Sequence, residues 1–152
     1  LPGQELFQYR DDDGGPRPIS STDVNAYLRD TTGEDFTAKD FRTWAGTVLC
    51  AEALDHTRIP ETMTQTKRNT VAAIRQTAER LANTATICRK CYVHPALVDA
   101  YLDGSLVESL QQRVEEELAG HLHDLSPEEA AVLAFLRQRL KRDAEGLAGG
   151  PA

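Results

Sequence analysis

From Ser20 onward the apolar side chains return every three or four residues, the repeat of helices that bury one side. The stretch SSTDVNAYLRD opens with hydroxyl and aspartate capping residues, sets Val24, Tyr27 and Leu28 at helical spacing, and is ended by Gly33. Thr37 caps a second helix, TAKDFRTWAGTVLCAEALDHT, whose stripe is Phe41, Trp44, Ala45, Val48, Leu49 and Leu54. Pro60 breaks it. A third helix is predicted from Met63 to Leu81, with Val71, Ile74, Ala78 and Leu81 on one side. A short helix covers Thr86 to Tyr92; after Pro95, HPALVDAYLDG makes about two turns and stops at Gly104. Leu106 to Leu118 forms a further helix, and Pro127 to about Ala144 another behind a Ser126 cap, while GLAGGPA frays.

Ahead of these, residues 1–19 read as irregular, with Leu6 to Tyr9 as a short strand and Asp11 to Pro16 as a turn. No internal repeat or low-complexity segment appears. The pattern predicts a mainly α protein of several helices, with at most a small extended segment at the N-terminus.

Composition narrows the class. At 152 residues, 40% hydrophobic and 27% charged, the chain is long enough for one domain with a real core. No run approaches the roughly 20 apolar residues of a membrane span, and the start lacks a signal-peptide pattern, so a cytoplasmic protein is expected. The three cysteines, Cys50, Cys88 and Cys91, are too few and odd in number for a disulfide framework. The opening Leu-Pro-Gly reads like the interior of a longer protein.

The net charge of −7 argues at first against a nucleic-acid partner. Its distribution reverses that reading. Residues 1–35 carry 3 basic and 8 acidic side chains, residues 36–98 carry 9 and 5, and residues 99–152 carry 5 and 11. The middle is a basic island between acidic flanks, where local potential departs from the net value. Glu115-Glu116-Glu117 in the acidic tail reads as a solvated helix side.

The chemistry concentrates in ICRKCYVHPALVDAY, residues 87–101. Cys88-x-x-Cys91 with His94 has metal-ligand spacing, but a closed zinc site needs a fourth ligand and no second matching pair exists. A redox pair lacks the surrounding βαβ pattern. The plain alternative is two small residues half-buried on a helix. Tyr92 has Arg89 one turn before it and Lys90 adjacent. A free phenol titrates near about 10, cations favour its ionised form, and the same charges suit a phosphodiester under attack. Taken alone, a tyrosine near an arginine is usually an ordinary surface or core residue.

Two other places have the same character. Lys39 and Arg42 lie three apart on a helix's first turn, with Phe41 and Trp44 as apolar anchors. An anchored arginine with a nearby lysine suits a phosphate oxygen, although a charged side beside a packed stripe explains them equally simply. Asn83 follows a long helix and, by itself, reads as a cap of that helix or of the next.

Together these phrases resemble the C-terminal part of the catalytic domain of bacterial type IB DNA topoisomerases. The resemblance covers residues 1–104 and is carried by LPGQELFQY, STDVNAYLRD, GEDFTAKDFRTWAGT and LANTATICRKCYVHPALVDAYLDG. It implies the multi-helix fold shared with tyrosine recombinases for that part; the helices read over 105–145 are expected to pack on it, with a disordered tail at 146–152. The resemblance also implies duplex DNA as partner, a monomer at the nucleoid, and no metal, nucleotide or other cofactor. Tyr92 would attack a backbone phosphate and form a 3′-phosphotyrosine bond, and the freed 5′-hydroxyl would reseal the strand after swivelling. Arg42 would be one of two arginines on the non-bridging oxygens, Asn83 a contact to the same phosphate, and Lys39 a support for it. Arg89 and Lys90 would bind DNA phosphates. The reading requires Arg42, Asn83 and Tyr92 to converge.

The match departs from the family in two ways. The second arginine and the general-acid lysine belong upstream of residue 1; Arg10, Arg17 and Arg29 sit in the wrong context. The fragment alone is therefore expected to be inactive. Ala85 stands where related sequences tend to have proline. Two alternatives remain. One is a tyrosine recombinase, which typically has histidine where Lys39 stands; the other is a non-catalytic, possibly zinc-stapled, helical binding module.

Overall fold

A computed structural model describes residues 7–57, 60–106, 110 and 125–148. Two compact units divide the chain, 1–41 and 42–152. Leu106 and Leu110 are buried in the same apolar cluster as Leu97 and Tyr101.

In the first unit, β1 (Gln8–Arg10) and β2 (Pro16–Pro18) pair antiparallel, with Tyr9 opposite Arg17. The strand thus starts later than Leu6, which lies outside the described residues. Asp11 closes the turn: its carboxylate accepts from the Gly15 N–H at 2.7 Å and from Arg17 Nε at 2.8 Å. The Arg17 contact is the main cause holding that carboxyl below its usual range. Helix α1 (Ser21–Thr32) begins with the capping box that the hydroxyl-rich start predicts, Ser20 and Asp23 bonding reciprocally, and ends at Gly33 in the left-handed region. None of its residues is buried. Phe36 and Phe41 meet edge to face at 6.3 Å. Phe41 is 49% exposed, so it pairs locally and is no core anchor.

Helix α2 (Ala38–Asp55) starts in that unit and continues into the second. There it is followed by α3 (Met63–Arg80), α4 (Ala85–Cys91), α5 (Pro95–Leu102) and α6 (Pro127–Ala148). Cys50, Leu54, Ile74, Cys88, Leu97, Tyr101, Val132 and Phe135 form the core. Trp44 is half-buried against it and donates its indole N–H to Glu129 at 3.2 Å.

Helix α3 buries Ile74 and Ala78 of the predicted side and packs Leu81 half-buried on the core, but its inward side is broader than the apolar pattern and leaves out Val71. Val71 is exposed, while Thr66, Thr70, Ala73, Ile74, Thr77 and Ala78 are buried. The threonines can be buried because Thr66, Thr70 and Thr77 each return the hydroxyl proton to the carbonyl one turn back, at 2.9–3.0 Å. Small side chains on that side let neighbouring helices approach closely. Most of the helix expected over Leu106 to Leu118 lies outside the described residues; Leu106 and Leu110 are buried. Helix α6 runs to Ala148 rather than Ala144, so residues 146–148 of the expected tail are helical, and 149–152 lie outside the described residues.

Candidate active site around Tyr92

The C-terminus of α3 organises the site. The chain leaves the helix through a Schellman turn, with Asn83 N–H bonded to Ala78 O at 2.9 Å and Ala82 N–H to Glu79 O at 3.2 Å. Ala82 occupies the left-handed position (φ 51°), the single non-glycine positive φ among the described residues. This turn leaves the Leu81 carbonyl without a backbone donor, at the negative end of the helix. Two side chains fill the gap. Arg42 Nη2 donates to Leu81 O at 2.8 Å and Asn83 Nδ2 donates to the same oxygen at 3.1 Å. The Arg42 guanidinium carbon also lies 4.9 Å from the centroid of the Tyr92 ring, within cation–π range. Arg42, Asn83 and Tyr92, all half-buried, therefore meet.

Tyr92 is the residue that ends α4, with its N–H bonded to Cys88 O. Thr84 starts that helix by accepting from Ile87 N–H at 3.3 Å, so Asn83 is not its cap. Helix α2 lies against the tyrosine's backbone. Gly46 is buried there, and a Cβ on it would come within 3.1 Å of the Tyr92 carbonyl carbon and closer still to the oxygen. Thr43 Oγ1 donates to Cys91 O at 3.3 Å, and Thr47 Oγ1 accepts from His94 N–H at 3.1 Å. His94 in turn caps α5, its Nδ1 accepting from Ala96 N–H at 3.2 Å.

The two tyrosines of this unit are in opposite situations. Tyr101 is 2% exposed and committed to structure. Its hydroxyl accepts from Asn69 Nδ2 at 2.9 Å and meets Thr57 Oγ1 at 2.9 Å. Because Thr57 gives its own proton to Leu54 O at 2.6 Å, Tyr101 must be the donor in that pair. The Tyr92 ring, by contrast, is half-exposed beside a cation.

The cysteines separate in the same way. Cys50 and Cys88 are fully buried and near each other, and Cys91 is half-buried. Burial pushes the Cys50 thiol up to about 12 against a hydrogen bond with Thr77. Burial also raises Cys88, partly opposed by the Arg42 charge. Among the described residues no group of three or more histidine, cysteine or carboxylate side chains is placed to hold a metal ion.

The remaining candidates are exposed. Arg89 and Lys90 sit in the last turn of α4, and the cation over the Tyr92 ring is Arg42 rather than Arg89. Lys39 is exposed in the first turn of α2, within the 1–41 unit, where its charge helps hold the Asp40 carboxyl low behind the stronger Thr37 hydrogen bonds. The sequence reading passed over Thr43, Gly46, Thr47 and the Leu81 carbonyl. The signal for Gly46 was present: a glycine inside a helical pattern can mark close packing.

A helical unit that gathers a guanidinium and a carboxamide on one oxygen beside a half-exposed phenol belongs to the class of sites suited to an oxyanion and a nucleophile. Comparison with known proteins gives the family. The family described as "Eukaryotic DNA topoisomerase I, catalytic core" matches residues 1–118, and the chain belongs to this type IB topoisomerase family. The DNA topoisomerase 1B of Acanthamoeba polyphaga mimivirus is 32% identical over 108 residues, covering 66% of this chain and 32% of the viral protein. The chain thus spans about a third of the length of the curated relative it matches. One match is described as eukaryotic and the other is viral; they support the type IB class and not a bacterial branch.

Proposed function

We propose that these residues form the tyrosine-bearing part of a type IB DNA topoisomerase that relaxes duplex DNA by transient cleavage of one strand. Tyr92 Oη attacks the phosphorus. The Oη–P bond forms as the P–O5′ bond breaks, the phenol proton passes to a solvent water, and the 5′-oxygen gains a proton from a general acid. After the strand swivels, the 5′-hydroxyl attacks the 3′-phosphotyrosine and the steps reverse. The covalent bond conserves the phosphodiester energy, so neither ATP nor metal is required.

Arg42 and Asn83 bind the non-bridging oxygens. The observation that carries this reading is their convergence on one oxygen, the Leu81 carbonyl, beside the Tyr92 ring. An acceptor gripped by a guanidinium and an amide is the local equivalent of a phosphate oxygen, and such preorganised donors stabilise charge that grows on phosphorus. Lys39 supports the phosphate, and Arg89 and Lys90 contact flanking phosphates, making binding weaken with salt. A second arginine and the general-acid lysine come from upstream sequence, so the 152-residue chain alone is inactive. The enzyme acts as a monomer on duplex DNA.

The test is relaxation by the full-length enzyme of both positive and negative supercoils in EDTA, with Tyr92→Phe abolishing covalent capture of DNA while leaving binding largely intact. Relaxation that disappears on chelation, or capture by the Phe variant, overturns the proposal.

A further inference from the structure

We propose that Thr43, Gly46 and Thr47 are positioning residues for the nucleophile: one side of α2 sets where the Tyr92 phenol stands relative to Arg42. The inference rests on the topoisomerase reading and adds residues that the reading does not itself require.

Tyr92 ends a helix of only seven residues, a length with little stability of its own. Something else must hold it. Positions 43, 46 and 47 share one side of α2 by the i, i+3, i+4 rule, and each touches the backbone around the tyrosine. Thr43 holds the Cys91 carbonyl before it, and Thr47 holds the His94 N–H after it. Gly46 lets the Tyr92 peptide lie directly on the helix. Thr47 also donates its proton to Thr43 O at 2.8 Å, which turns an oxygen lone pair toward His94 and fixes the hydroxyl in one role.

Arg42 precedes these residues on the same helix. The phenol and the guanidinium that faces its ring are thus both referenced to a single rigid element, although they are 50 positions apart in the chain. In-line attack is sensitive to such placement, since a displacement of about 1 Å can cost on the order of a hundredfold in rate. No side chain at 43, 46 or 47 has to touch DNA for this effect.

Gly46→Ala is the most direct disruption, but its collision with backbone can unfold the protein. The pair Thr47→Val and Thr47→Ser is therefore decisive. Valine keeps the shape and removes the hydroxyl; serine keeps the hydroxyl. In the full-length enzyme, single-turnover covalent capture of a suicide duplex is measured at saturating DNA, together with the DNA Kd. In the 152-residue chain, amide exchange at His94 is followed by NMR. Thr47→Val should slow capture at least tenfold with Kd unchanged and speed His94 exchange, and Thr47→Ser should restore both. If the unsubstituted enzyme captures DNA and Thr47→Val captures it equally fast, the positioning role is overturned while the topoisomerase reading stands. If the unsubstituted enzyme captures none, that reading falls and the positioning role with it.

Discussion

The guanidinium of Arg42 spans two neighbours at once: its Nη2 is bonded to the Leu81 carbonyl while its carbon sits 4.9 Å from the centre of the Tyr92 ring. It thereby joins the end of α3 to the end of α4. The arginine has a structural task, neutralising the negative terminus of α3, before any ligand arrives. Only one of its five N–H donors is used in that bond, which leaves others for a phosphate.

Replacing Arg42 should therefore affect stability as well as chemistry. Arg42→Ala loses a charged hydrogen bond and a cation–π contact, and we expect about 1–3 kcal/mol of destabilisation in urea unfolding. Arg42→Lys should recover part of the stability but little covalent capture, because a lysine lacks the planar fork that reaches two acceptors together.

Ala82 gives the opposite expectation. A left-handed alanine is held about 1–2 kcal/mol above a favourable conformation, and glycine removes that strain while adding unfolded-chain entropy. Ala82→Gly should raise stability by about 0.5–1 kcal/mol, seen as a higher urea midpoint at unchanged m-value. A loss of stability would mean that the Cβ makes packing contacts outweighing its strain.

The two tyrosines of the second unit should separate cleanly. Tyr101→Phe leaves Asn69 and Thr57 without their shared partner in a buried place and should cost about 1–2 kcal/mol. Tyr92→Phe keeps the ring beneath Arg42 and should leave thermal stability within about 0.5 kcal/mol. In the full-length enzyme the functional ranking should be the reverse.

Alkaline pH should weaken the fold through Cys50. Its thiol is pushed up to about 12 from an ordinary value of 9.0. Between those values the unfolded chain has lost the proton and the native chain keeps it. The native state then binds more protons, so stability falls as pH rises, at up to about 1.4 kcal/mol per pH unit from this group. Urea unfolding at several pH values between 8 and 11 should show a steeper decline for the natural protein than for Cys50→Ala. The same burial predicts that iodoacetamide modifies Cys91 ahead of Cys50 and Cys88 under native conditions.

Much of this architecture was readable in the linear order of residues. Capping residues at Ser20 and Ser126, the stops at Gly33 and Pro60, and the spacing of apolar side chains located the helices, because those signals act within a few residues. The misreadings have one cause. Val71 and Phe41 look like core residues by hydropathy and are exposed, whereas Thr66, Thr70 and Thr77 look polar and are buried. A threonine hydroxyl that bonds its own helix presents only a methyl to its neighbours, and periodicity cannot show which threonines do so.

By itself the sequence determined which groups are available: a phenol among cations, an arginine on a capped helix, an asparagine behind a long one, and phrases that resemble one enzyme family. Folding decided what those groups do to one another. Local rules act over about one helical turn, whereas Arg42, Leu81 and Tyr92 meet only because α2, α3 and α4 pack through small residues such as Gly46 and Thr77. Close approach of backbones is a property of three dimensions, and it places the guanidinium and the tyrosine side by side.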